Sequence, residues 1–372
     1  THPRSSAASD VYKRQILLYR YFPYGGLQKD FLATAKELLL RGHELKIFTR
    51  SWEGDIPEGL NVMQLGEAGF TNYSKNQTFV KKVFDEINKY SPEIIFGFNK
   101  IPGLDLYFAA DTCFAKQAHN KNTLQKYTKR FKQSLEYENL VFSKASNTQT
   151  LLLNENQYDD FKTIYSTQSE RMTIIPPGIA SNWNHEKNIN LRNLFGIPRE
   201  DKIILFVGSD FSRKGLDRAI LGLNHLQRIN IDSSLIVIGD DDKKPFLNSV
   251  KEHSLNNKVF FLGPRDDVAS FMKSADLLVH PAREEAAGNI IIEAMVSGLP
   301  SLASKEVGFS SEVKKFKAGA VLDNLFSQHE FNKLLEETIQ DERLSFIKKE
   351  ISCLRDDDYF FSRFRFIATF IE

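Results

Sequence analysis

Glu285 and Glu293 bracket a run of small residues, Ala286-Ala287-Gly288, that opens a predicted helix just after an apolar strand ending at His280-Pro281. Small side chains let a ligand approach the backbone, and the N–H groups of a helix start favour an anion. Glu285 stands before the helix and Glu293 about one turn inside it, so both can face one ligand. Carboxylates accept hydrogen bonds from hydroxyls, and a pair so placed suits a polyhydroxy compound. The plainer alternative is a helix cap and a solvated charge. A second strand–loop–helix segment, VGSDFSRKG at 207–215, carries Arg213 and Lys214 between Gly208 and Gly215. A guanidinium fork beside a point charge suits a diphosphate, although a surface Arg-Lys turn would read the same. Neither a P-loop nor a G-x-G-x-x-G fingerprint is present.

Gly25-Gly26, ahead of a helix that follows the first strand, offers a third backbone site for negative charge. Asp105 and Asp111, in NKIPGLDLYFAAD at 99–111, are acid–base candidates that could equally be turn residues. Residues 112–135 hold six basic residues (Lys116, Lys121, Lys126, Lys129, Arg130 and Lys132) and no acidic one, with Phe114, Tyr127 and Phe131 interleaved. Basic and aromatic residues mixed in this way suit anionic lipid head groups. No nucleic-acid module accompanies them. Asp240-Asp241-Asp242 reads as a solvated loop, and the histidines and cysteines lack zinc spacing.

The elements that must position these residues alternate between short apolar runs and helical patterns, as in doubly wound α/β proteins. Predicted strands are 16–19, 44–49, 61–65, 93–98, 150–153 and 173–175, then 202–207, 234–238, 259–262, 277–280, 300–303 and 320–322. Between the two series lies Pro176-Pro177-Gly178, which can continue neither strand nor helix. The expectation is two Rossmann-like domains with parallel sheets facing across a cleft, and ligands beyond the carboxyl ends of the strands. Residues 1–15 lack apolar periodicity and are taken as a leader outside the fold; 16–175 form the first domain, 176–354 the second, and 355–372 a returning helix. Lys and Arg total 49 against 48 Asp and Glu, which excludes a chain that is basic throughout. Two cysteines are too few for a disulfide framework, so a reducing compartment is expected. No apolar run approaches the roughly 20 residues that span a bilayer. Phenylalanine is unusually frequent at 30, and Phe22, Phe98, Phe108, Phe114, Phe131 and Phe211 fall in or beside the segments just described.

Glu285-x7-Glu293 after His280-Pro281, together with Gly208…Arg213-Lys214-Gly215 and Pro176-Pro177-Gly178, resembles retaining glycosyltransferases of family 4, which have the GT-B fold. YRYFPYGGLQKDF (19–31), RSWEGD (50–55), GFNKIPGLDLYFAAD (97–111), VGSDFSRKG and HPAREEAAG (280–288) resemble that family's lipopolysaccharide-core glucosyltransferases. The resemblance implies transfer of glucose from UDP-glucose to an inner-core heptose, by a cytoplasmic enzyme peripheral on the inner membrane face. It places Gly26, Arg213 and Lys214 against the donor diphosphate and Glu293 on the ribose. Glu285, Ala286, Ala287 and Gly288 would hold the sugar, and Arg265 would flank the uracil. Asp111 falls at a catalytic carboxylate near the acceptor, and the basic stretch at a membrane-interacting region. Cationic groups then serve where other enzymes use a metal, so neither metal nor cofactor is expected. Where the family has an Asp-Arg pair after the hinge, this chain has Ala180-Ser181-Asn182-Trp183, a departure that bears on donor choice. Galactose, N-acetylglucosamine or a heptose are the alternative donor sugars. A UDP-sugar epimerase would need no acceptor, and a non-catalytic lipid-surface protein would not need the Glu pair and Arg-Lys together.

Overall fold

A computed structural model describes residues 13–23, 25–89, 92–118, 123–179, 183 and 189–372. They form two compact units, 1–176 with 362–372, and 177–361. The first contains β1 (Lys13–Tyr21), β2 (Glu44–Trp52), β3 (Asn61–Gln64), β4 (Ile94–Gly97), β5 (Leu106–Ala109), β6 (Gln149–Leu152) and β7 (Met172–Ile174). Their order across the sheet is β3-β2-β1-β4-β5-β6-β7. The second contains β8 (Lys202–Val207), β9 (Ser233–Ile238), β10 (Val259–Phe261), β11 (Leu277–His280), β12 (Ser301–Ser304) and β13 (Gly319–Leu322), ordered β10-β9-β8-β11-β12-β13. Every pairing is parallel. Strands such as β8, β9 and β11 read as unbroken apolar runs because helices cover both faces of a parallel sheet.

The order reverses between β1 and β4 in one sheet and between β8 and β11 in the other. Within each unit, the loops leaving its two central strands lie side by side at that sheet's own switch point, where open α/β sheets bind ligands. Sequence alone does not show which strands are neighbours, so this is the step that turns separate motifs into a site.

Three boundaries differ from expectation. Residues 13–15, assigned to the leader, begin β1 in register with Glu44, Leu45 and Lys46. Arg14 and Gln15 are buried and Arg14 pairs with Glu93, so ladder hydrogen bonds and an ion pair hold a stretch with no apolar pattern. Residues 1–12 lie outside the described residues. β5 was not predicted: LYFA is buried on both faces, so no alternation marks it as a strand. Finally, 355–361 stay with the second unit as short 3₁₀ turns, where Phe360 is buried and Ile179 N donates to Phe360 O at 3.1 Å. The helix that joins the first unit is Arg363–Ile371, packed on the helix Gly26–Leu40. Phe98, Phe108 and Phe211, read beside the functional segments, are buried core, and Phe98 stacks on Phe108 at 5.2 Å.

Candidate active site

In the second unit the loops after β8 and β11 are tied together. Arg283 N donates to Arg213 O at 2.7 Å, and the Arg283 guanidinium meets Ser212 O and both oxygens of Asp217. This places Glu285, with its side chain 16% exposed, against both cations of the other loop. Arg213 Nη1 and Lys214 Nζ each lie 3.0 Å from Glu285 Oε2. Arg213 is aimed from behind by Asp210, whose carboxylate accepts from Nε at 2.8 Å. Glu285 Oε1 has no protein partner among the described residues, which leaves an acceptor for a sugar hydroxyl.

Burial raises the Glu285 carboxyl, but the Lys214 and Arg213 charges beside it outweigh that and hold the group below the usual glutamate range. Burial also weakens the Arg213 charge, yet Glu285 and Asp210 hold its proton more tightly than in a free arginine. His280, fully buried at the end of β11, is pushed down to about 3 by burial, with Lys214 and Arg213 adding to the effect. The site therefore carries two fixed cations, one carboxylate and a neutral imidazole.

Two glycines are needed here for space. Gly208 has φ +143°, and a Cβ there would overlap the Lys214 side chain, with Nζ 3.0 Å away. Gly288, at φ +78° before the helix Asn289–Val296, would drive a Cβ into Val307. Gly208→Ala should displace Lys214 and add strain of about 1–3 kcal/mol. A fall in turnover of at least about tenfold is expected, together with a lower unfolding midpoint. Equal turnover would show that the Lys214 path over Gly208 is unimportant.

The other donor candidates are less closely joined. Ala287 O accepts from Phe309 N at 2.8 Å, while Glu285 N and O bond Glu306 and Gly308, so a neighbouring loop splints 285–287. Glu293 is half-buried in the second turn of its helix. Arg265 lies beyond the edge strand β10, gripped by both Asp267 oxygens at 2.7 Å and set 4.8 Å over Phe271. Trp183 Nε1 donates to Ser297 Oγ at 2.9 Å, and Ala180, Ser181 and Asn182 lie outside the described residues. Asp241 accepts from Phe211 N at 2.7 Å, so the acidic run caps the helix bearing Arg213.

In the first unit, Gly26 opens its helix beyond β1, and a Cβ there would meet nothing within 4 Å. Asp111 is exposed just past β5, and its carbonyl accepts from Gln157 Nε2 at 3.0 Å. Asp105 is structural: its carboxylate accepts from Ile95 N at 2.8 Å, fastening β5 to β4. Of the basic stretch, Lys129, Arg130 and Lys132 are exposed on the helix Lys129–Phe142, and Lys126 is half-buried. Leu124 and Tyr127 are exposed beside them, at 83% and 73%. Lys116 is balanced by Asp160 at 2.7 Å and adds no net charge, a correction to its grouping with the others. Lys121 lies outside the described residues. Among the described residues no three His, Cys, Asp or Glu are grouped to hold a metal ion, and no helix is long and apolar enough to cross a membrane.

The pattern of the Glycosyl transferases group 1 family matches residues 188–351. The chain is 36% identical over 329 residues to the lipopolysaccharide glucosyltransferase WaaG of Escherichia coli K12, covering 87% of this chain and 88% of that protein. The chain belongs to the group 1 glycosyltransferases. The crystal structure of WaaG, a glycosyltransferase involved in lipopolysaccharide biosynthesis, matches with a TM-score of 0.87 at 34% identity, over 96% of this chain and 99% of that one. Anabaena Alr3699/HepE, crystallised with UDP and glucose, matches with a TM-score of 0.72 over 97% and 99% of the two chains, and at 16% identity shows the fold alone.

This glycosyltransferase thus has the GT-B pair of Rossmann-like units. Its sequence left the roles of four residues unnoticed. Asp210 carried a faint signal as an N-cap three residues before Arg213. Arg283 with Asp217, and Gly208 as the bed for Lys214, carried none, because the ion pair joins residues 66 apart in sequence and a glycine has no side chain to mark its role.

Proposed function

We propose that this glycosyltransferase moves glucose from UDP-glucose, with retention, to an inner-core heptose of lipopolysaccharide at the cytoplasmic membrane face. The observation that carries the reading is the Glu285 carboxylate held 3.0 Å from both Arg213 and Lys214 at the β8/β11 switch point. Negative charge develops on the departing UDP, and fixed cations aimed at it stabilise the transition state more than the ground state. Glu285 keeps the two cations in place and offers Oε1 to a sugar hydroxyl. Gly26 adds a helix N-terminus for the diphosphate. Glu293 takes the ribose, the Ala286–Gly288 backbone the sugar, and Arg265 the uracil. Asp111 serves the acceptor. The relative of Escherichia coli, named as a lipopolysaccharide glucosyltransferase, supports the choice of sugar and acceptor. With two cations on the leaving group, the reaction needs no metal.

A panel of radiolabelled nucleotide sugars against core-truncated lipopolysaccharide tests this. Label should pass to the acceptor from UDP-glucose alone, and EDTA should leave the rate unchanged. Label from another donor, product without acceptor, or a rate restored only by Mn²⁺ would each contradict it. Exposed Lys129, Arg130 and Lys132 beside Leu124 and Tyr127 support the membrane assignment. Co-sedimentation with vesicles rich in phosphatidylglycerol should be strong at low salt and weaken as ionic strength rises. Salt-independent binding, or none, removes that part.

A further inference from the structure

The first unit buries one carboxylate completely among hydrogen-bond donors. Glu138, 0% exposed, sits within the helix Lys129–Phe142. Its Oε1 accepts from Ala115 N at 2.9 Å, Tyr165 Oη at 2.8 Å and Cys113 Sγ at 3.5 Å. Its Oε2 accepts from Phe114 N at 2.8 Å and from Lys100 Nζ. Lys100 Nζ also reaches Thr112 O at 3.3 Å. Burial and the Glu138 charge push the Cys113 thiol up to about 12, which keeps it a donor. Five donors and no acceptor thus face two oxygens, an arrangement that a carboxylate satisfies and an amide cannot. In glutamine, whichever position the NH₂ takes, it meets N–H groups head on.

The donors come from the loop after β4 (Lys100), the stretch after β5 (Cys113, with Phe114 and Ala115 opening the helix Phe114–Ala118) and the end of the helix Glu155–Tyr165. Both strands belong to the same parallel sheet, so these partners gather at its carboxyl edge, beside Asp111. On the other side of Asp111, Gln157 Nε2 donates to Ala109 O at 2.8 Å and to Asp111 O at 3.0 Å. A buried ion pair is a poor way to gain stability, since apolar residues of equal volume often do as well or better. Here the charge secures two backbone amides, three and four residues after the exposed aspartate.

We propose that Glu138 is the positioning residue of the acceptor side: it sets the 112–115 stretch, which opens the helix Phe114–Ala118, and through it Asp111, against the loop that follows β4. It touches no reacting atom. The proposal rests on the assignment of Asp111 to the acceptor, and it links Asp111 to the same helix that exposes Lys129, Arg130 and Lys132.

The test uses the full chain, with Glu138→Gln and, as a milder variant that keeps the charge, Tyr165→Phe. Three quantities are read: amide hydrogen exchange across 112–118, steady-state kinetics toward core-truncated lipopolysaccharide, and UDP affinity by calorimetry. Loss of hydrogen bonds to a charged group predicts faster exchange at Phe114 and Ala115 by about tenfold or more in Glu138→Gln. The acceptor kcat/KM should fall by a similar factor, with UDP affinity within about twofold of the parent. Tyr165→Phe should shift exchange and kinetics in the same direction by less. Unchanged exchange at 112–118, or UDP binding lost in parallel with acceptor turnover, would overturn the proposal. If the parent protein transfers nothing to this acceptor, the proposed function fails instead; exchange at 112–118 still decides whether Glu138 holds this segment.

Discussion

Lys214→Ala should lower kcat for the proposed transfer by about 10²–10³-fold, the range seen when one preorganised donor to a developing anion is removed. Lys214 Nζ sits in a space that Gly208 leaves open and that Glu285 anchors at 3.0 Å, so little reorganisation is needed when charge reaches the leaving group. The fold should survive. Lys214 is on a short surface helix, and Arg213 remains to pair with Glu285 at 3.0 Å. Glu285→Ala should act differently. It frees both cations from their anchor and removes the open acceptor at Oε1, so KM for the donor should rise along with the fall in kcat. Steady-state kinetics with varied UDP-glucose, beside circular dichroism of each variant, separates the two. Less than about a tenfold change in both would move the donor diphosphate away from Arg213 and Lys214.

The second large effect concerns stability. Arg363 is fully buried on the C-terminal helix, 3.2 Å from Asp30 Oδ2 on the helix Gly26–Leu40, and its Nε donates to Pro176 O at 3.1 Å. Burial lifts the Asp30 carboxyl above the ordinary aspartate range even though Arg363 pulls it down. The pair is thus expensive to keep and worse to break. Asp30→Ala leaves a guanidinium buried without its counter-charge, and the first unit should lose about 3–5 kcal/mol. The double variant Asp30→Leu with Arg363→Met should recover most of that loss. Urea unfolding followed by far-UV circular dichroism, with Trp52 fluorescence reporting on the first unit, measures both. A single variant costing below about 1 kcal/mol would show that water already reaches the pair.

Much of this architecture was legible beforehand because each α/β unit repeats a local pattern of apolar strand, turn residues and amphipathic helix. The hinge at Pro176-Pro177-Gly178 stands out by its chemistry alone, and the described units divide between Pro176 and Pro177. Where local pattern was missing, expectation failed. β5 has no polar alternation because both its faces are covered, and Lys13-Arg14-Gln15 has no apolar residue at all, yet pairs with β2. Lys116 looked like part of a basic surface until the fold brought Asp160 to it.

The chemical kinds are written in the residues: two carboxylates around small residues, an Arg-Lys pair between glycines, a basic stretch free of acid, and two series of strands that must be parallel. Residue types and short-range spacing suffice for that, since caps, turns and strand periods act over a few positions. The fold, by contrast, sets Glu285 against Arg213 and Lys214 rather than solvent, makes Gly208 the bed for a lysine, and gathers five donors from three segments around Glu138. Those contacts depend on strand order and crossover, and a parallel sheet makes neighbours of strands many residues apart. Glu285 and Lys214, 71 positions apart, meet because β8 and β11 lie side by side where the strand order reverses.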